Sequence, residues 1–166
     1  MSRAFVNEDQ AAGQADQPVE RSISEQPNYV TESGLAQLQA KVGEVKALLA
    51  EQNALGERAD KQRVADLERD IRYFQNRLQT AKLVPPVEST DKVQIGSWVT
   101  YADENGTESQ VCLVGEDQAD AALGMINWGS PLGKALLGAR VGDEVVWRRP
   151  MGDLSIEILK IAREIL

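Results

Sequence analysis

Leu35, Leu38, Val42, Val45 and Leu49 recur at intervals of three, four, three and four residues. Val64, Leu67, Ile71, Phe74 and Leu78 repeat that rhythm, and Ala81 continues it. Such spacing puts every apolar side chain on one face of an α-helix. Two stripes of similar length, separated by a polar break, predict an antiparallel helical hairpin with coiled-coil packing over residues 29–83. Thr31 is the predicted N-cap of the first helix, with Glu32 at its positive end. Gly56 is the predicted stop, since glycine enters the left-handed conformation at little cost. One long helix that dimerises is the competing arrangement, and the polar break around Gly56 disfavours it.

The rhythm changes after Leu83. Pro85 and Pro86 stop a helix. Short β-like runs follow at 98–102, 108–114, 124–128, 144–148 and 154–162, with an Asn105-Gly106 hairpin signal between the first two. Residues 131–138, PLGKALLG, read as a short helix with proline in its first turn. The prediction for residues 84–166 is an α+β domain: a twisted antiparallel sheet with one short helix. Residues 1–28, rich in Gln, Ala, Ser, Asp and Glu, hold too little apolar bulk to offset ordering entropy, and a disordered tail is expected there.

Composition removes whole classes of chemistry. The 166 residues include no histidine, so His-based triads, His metal sites and His switches are excluded. The one cysteine, Cys112, lies in the apolar run VCLV and reads as a small core residue. No apolar run approaches the roughly 20 residues of a membrane helix. The first residues lack a charged-then-apolar leader, so a cytoplasmic protein is expected. The net charge of −8 is uneven: residues 29–83 carry eight acids and nine bases, residues 84–166 thirteen acids and seven bases. An acidic body does not suit independent binding to DNA, which needs several cationic phosphate contacts.

Two clusters on the hairpin carry candidate chemistry. Glu57 and Asp60 stand three apart at the break. Their spacing fits a pair of hard ligands for Mg²⁺, and it equally fits capping of the second helix, whose positive end favours acids. Arg58, Lys61, Arg69 and Arg72 fall within an arc of about 80° opposite the apolar stripe. This arc reads either as a solvated face or as a stripe facing RNA or an acidic protein rim.

The run SPLGKALLGARVGDEV at 130–145, with IGSWV at 95–99, LVGEDQAD at 113–120 and YVTESGLAQLQ at 29–39, resembles the Gre family of bacterial transcript-cleavage factors. The resemblance spans residues 29–166 in order. It implies an N-terminal hairpin followed by an FKBP-like domain. It implies binding to RNA polymerase through that domain, entry of the hairpin into the secondary channel, and two tip acids sharing a second Mg²⁺ with the polymerase. Nascent RNA would be met only within that complex. A monomer with no tightly bound cofactor and no catalytic residues of its own is expected. Pro131 matches a family docking position, and Trp128 and Ser130 flank it.

Two departures from the family stand out. Its tip reads Gly-Asp-x-x-Glu-Asn, whereas Gly56-Glu57-Arg58-Ala59-Asp60-Lys61 exchanges the acids and ends in lysine. Each hairpin arm is also short by about seven residues, which at 1.5 Å per residue removes roughly 10 Å. Gly129 stands where the family usually has Asn or Asp. The short arms favour occupation of the channel without cleavage, as in shorter-hairpin relatives. A prolyl isomerase and a plain coiled-coil adaptor are the other readings; the first conflicts with an aromatic content of 5%.

Overall fold

A computed structural model describes residues 18–164. These form two compact units, one of residues 18–24 with 39–79, the other of residues 25–38 with 80–164. The expected tail lies outside the described residues as far as residue 17. From Glu20 to Asn28 the same stretch makes side-chain contacts, and Asn28 is buried.

Two helices follow the two stripes. Helix α1 spans Glu32–Ala54 and helix α2 spans Lys61–Thr80. All ten stripe positions are buried or half-buried. The Gln52 side chain accepts a hydrogen bond from the Asp60 backbone N–H (3.1 Å), and the Lys41 ammonium lies 5.8 Å from the Phe74 ring centroid. Residues early in α1 thus meet residues late in α2, as antiparallel helices require. Two residues off the stripe, Tyr73 and Arg77, are also buried. Thr31 caps α1 as expected: its Oγ1 accepts from the Gly34 N–H at 3.0 Å.

The helical expectation overran at its C-terminal end. Strand β1, Tyr29–Val30, pairs in parallel with strand β2, Lys82–Leu83. Lys82 N–H donates to the Asn28 carbonyl (2.8 Å) and Val84 N–H to the Val30 carbonyl (2.9 Å). Pro85 pushes Val84 toward extended backbone, and pairing with β1 holds Lys82–Leu83 extended before it.

The second unit is built on five strands: β3 (Trp98–Ala102), β4 (Glu108–Val114), β5 (Met125–Asn127), β6 (Glu144–Trp147) and β7 (Leu154–Ala162). Their order is β5-β4-β3-β7-β6. The sheet is mixed rather than antiparallel throughout, because β4 and β5 pair in parallel. Between them the chain makes two short 3₁₀ turns, Glu116–Gln118 and Ala121–Leu123, which bring β5 back beside Cys112–Val114, the C-terminal half of β4. The β3–β4 hairpin has the expected strand bounds, with Asn105-Gly106 in the loop between them. Ala102 pairs with Glu108, so the loop has five residues, and only Gly106 has a positive φ. The Asp103 carboxylate closes the loop by accepting from the N–H groups of Asn105 and Thr107.

Alternation in β3 and β7 makes the core. Val99 and Tyr101 point inward from β3. In β7, Ile156 and Ile158 face the core, and so does Ile161, one step out of phase. A bulge opposite Thr100 and Tyr101 absorbs the extra residue and restores the inward face. Helix α3, Pro131–Leu136, closes the layer with Leu132 and Leu136.

Cys112 is buried, and burial pushes its thiol from 9.0 up to about 11. The neutral thiol is a poor nucleophile. Aromatic disulfide reagents at neutral pH should therefore leave folded protein unlabelled and titrate one thiol after urea unfolding. Because the unfolded thiol ionises first, this group should also lower stability as pH rises from 9 towards 11, with no effect below 8.

Candidate functional site

The hairpin turn is built by three backbone devices. Gly56 takes φ 57°, a short 3₁₀ turn spans Gly56–Arg58, and Ala59 is extended. Asp60 follows as the cap of α2. Its Oδ1 accepts from the N–H groups of Gln62 (3.0 Å) and Arg63 (3.1 Å). The second oxygen, Oδ2, is not used by the cap. Glu57 is exposed, and its carboxylate has no hydrogen-bond or ion-pair partner among the described residues. The two acids are therefore unlike: one is held by backbone, the other is free.

No group of three or more His, Cys, Asp or Glu side chains converges on a metal position among the described residues. A Mg²⁺ ion takes about six oxygen ligands in a strict octahedron. Glu57 and Asp60 Oδ2 could supply two of them. They do not make an ion site alone.

The basic stripe divides into two halves. Arg58 and Lys61, beside the turn, are exposed and have no ion-pair partner among the described residues. Arg69 is held by Asp70 (Nη2 to Oδ1 3.1 Å) and faces Asp66 at 3.6 Å. Arg72 donates to Glu20 through Nε and Nη2. Only the half near the turn keeps its positive charge uncompensated.

The loop at 127–131 is fixed largely by its own hydrogen bonds. The Asn127 side chain accepts from Gly129 N–H (2.9 Å), and the Asn127 carbonyl accepts from the Ser130 hydroxyl (2.7 Å). Ser130 Oγ in turn accepts from Gly133 N–H at 3.1 Å and caps α3. Trp128 is half-buried against the core and meets Tyr29 edge-on, with ring centroids 5.4 Å apart. Pro131 is exposed at the first position of α3. It walls an apolar hollow of about 470 Å³ with Trp147, Arg148, Arg149, Pro150 and Met151. Met151 is 82% exposed at its rim. A larger groove in the same unit, about 1210 Å³, runs under residues 83–90 and past Trp98 and Met125, and contains none of the candidate residues.

The C-terminal model of the family "Transcription elongation factor, GreA/GreB" matches residues 88–163. GreB of Yersinia pestis is 31% identical over 150 residues, which cover 81% of this chain and 88% of that protein. The chain belongs to the GreA/GreB family. GreB of Neisseria meningitidis serogroup B is 42% identical over 103 residues, 61% of this chain; the match spans only 63% of that relative's length. The crystal structure of GreA factor homolog 1 from Thermus thermophilus matches 82% of this chain and 99% of its own at 22% identity. The TM-score of that match is 0.40.

Several residues that shape this GreA/GreB chain were invisible to periodicity. Gln118 is buried, accepts from the Thr31 hydroxyl (2.6 Å) and donates to Ser33 (2.8 Å), so it ties the first turn of α1 to the β4–β5 connection. Gln26 donates to the Gly129 carbonyl at 3.3 Å. A Cβ on Gly129 would stand 2.0 Å from the Gln26 side chain. Glycine at this place admits a side chain from the N-terminal segment. An isolated glutamine in a polar run gives no periodic signal, so only the fold reveals these pairs.

Proposed function

We propose that this chain binds RNA polymerase and regulates transcription elongation from the secondary channel. Membership of the GreA/GreB family supports this reading, and so does one observation: a helical turn ending in an unheld carboxylate, Glu57, with Asp60 Oδ2 three residues on. Exposed Pro131 and the apolar hollow beside it supply the docking surface, with Met151 at the rim. Trp128 and Ser130 contribute by shaping the loop, since one packs inward and the other caps α3. Arg58 and Lys61 favour an anionic environment around the turn.

A second divalent ion in the polymerase centre would stabilise the attacking and leaving oxygens of RNA cleavage. Glu57 would ligate through a mobile exposed side chain. Asp60 would offer one oxygen, already aimed by the two backbone N–H groups that hold the other. The commitment of Asp60 to its cap, with helices of only 23 and 20 residues, favours a second reading: occupation of the channel without cleavage.

Stalled elongation complexes separate the two. Under the first reading, wild type shortens backtracked RNA, and Glu57→Ala/Asp60→Ala lowers that rate at least about hundredfold while still binding. Under the second, wild type binds and slows elongation without releasing RNA fragments. Pro131→Arg should abolish binding in either case. Failure of wild type to bind purified polymerase would refute both.

A further inference from the structure

Within the hairpin unit, the segment before β1 lies against α2 in a matched pattern. Glu20 accepts from Arg72 Nε, at 3.0 Å to Oε1 and 3.2 Å to Oε2. Arg21 reaches Asp70 Oδ1 at 3.5 Å, and its guanidinium sits 3.8 Å from the Tyr73 ring centroid and 4.9 Å from that of Phe74. The two rings meet edge to face, 5.1 Å apart, and Tyr73 is only 9% exposed. The segment presents an acid and then a base; the helix answers with a base, an acid and an aromatic pair. Arg72 holds the Glu20 carboxyl below its ordinary value, mainly by hydrogen bonding.

The ion pairs join exposed or half-exposed side chains, and only the Tyr73 ring beneath Arg21 is buried. The side chains of Arg72 and Glu20 are 54% and 61% exposed, and those of Arg21 and Asp70 are 39% and 27%. Exposed ion pairs are weak and screened by salt, so such a segment detaches easily. Detachment takes the Arg21 guanidinium off the Tyr73 and Phe74 rings, which adjoin Asp70 and Arg72 along α2. A nucleic acid does not suit the bared surface, because Asp66, Glu68 and Asp70 would repel its phosphates. A polypeptide offering a carboxylate followed by a cation does suit it, as this chain's own segment demonstrates. We infer that residues 20–24 are an intramolecular strap over a protein-docking surface made by Asp70, Arg72, Tyr73 and Phe74, and that a partner segment with an acid followed by a base takes its place. This goes beyond polymerase binding and does not rest on it.

The test uses the full chain and a fluorescein-labelled peptide of residues 18–28. The tethered strap competes at an effective concentration in the millimolar range, so Glu20→Ala/Arg21→Ala should bind the peptide at least about tenfold tighter than wild type does. Adding Arg72→Glu to that host should remove binding, and a peptide carrying Glu20→Arg should restore it. Trypsin gives a readout on the wild-type strap. Arg21 must leave the Tyr73 ring to enter the protease, so cleavage after it should accelerate about threefold or more in Glu20→Ala. Equal peptide binding to both hosts, binding to neither, unchanged trypsin rates, or a gain for a short oligoribonucleotide instead of the peptide would overturn the inference.

Discussion

Ile158→Ala is expected to destabilise the sheet unit by about 4 kcal/mol, the upper part of the range for emptying a close-packed aliphatic site. Ile158 has no exposed surface and sits on β7, whose neighbours β3 and β6 flank it in the sheet. Inward-facing Val99, Tyr101 and Leu136 belong to the same cluster. Strands β3 and β7 are each hydrogen-bonded on both sides, so the space left behind cannot collapse. Trp98, Trp128 and Trp147 all lie in this unit, so tryptophan fluorescence follows its unfolding without interference from the hairpin. With a urea slope of about 2 kcal/mol per molar, the midpoint should fall by about 2 M. Val146→Ala, on edge strand β6 and 50% exposed, should shift it by less than about 0.3 M. A shift for Ile158→Ala no larger than for Val146→Ala would mean that β7 does not turn Ile158 into the core as described.

Much of this architecture was legible because period and punctuation agreed. The three-four spacing of ten apolar residues requires a helix face, and a glycine within a polar break requires an interruption. Strands were legible for the same reason: Val99 and Tyr101 alternate with Trp98 and Thr100, and Leu154–Ala162 is rich in β-branched residues. What escaped was pairing. Nothing in the composition of Met125–Asn127 tells a parallel neighbour from an antiparallel one, because both use the same side-chain alternation. The β1–β2 pair was hidden too. Two residues carry no period, and Lys82–Leu83 continues a helical pattern until the prolines behind it are weighed.

The candidate site was legible at the level of residue type and blurred at the level of state. Glu57 and Asp60 sit at the turn as the spacing required, yet capping and ion binding both ask for a carboxylate there. Only the hydrogen bonds show Asp60 Oδ1 committed to the cap and Glu57 left free. In the basic stripe, the residues that compensate Arg69 and Arg72 lie one and fifty-two positions away. The second of these cannot be found by any local rule. Burial separated the loop residues in the same way. Trp128 turns inward while Pro131 faces out, although both belong to one short run.

Gly133→Ala is the second large expected loss, about 3 kcal/mol, and it acts directly on the loop proposed for docking. Gly133 is buried in α3, and a Cβ there would stand 2.4 Å from the Asn127 carbonyl oxygen and 2.6 Å from that of Trp128. Both are backbone atoms, so no side chain can swing aside. The loop would have to move, and with it the 3.1 Å cap from Gly133 N–H to Ser130. Replacing glycine inside a helix ordinarily gains about 0.5–1 kcal/mol from reduced chain entropy, which is smaller than the clash. Gly43→Ala isolates that gain. Gly43 lies within α1 with nothing inside 4 Å of its Cβ position, so this change should stabilise the hairpin by about 0.5–1 kcal/mol. The same substitution at two helical glycines should thus have opposite signs. Tryptophan fluorescence would report the loss in the sheet unit, and circular dichroism at 222 nm the gain in the hairpin. Polymerase affinity should fall for Gly133→Ala and stay unchanged for Gly43→Ala, since only the first displaces Pro131. If Gly133→Ala left both midpoint and affinity intact, α3 would not hold the loop against the sheet as its hydrogen bonds indicate.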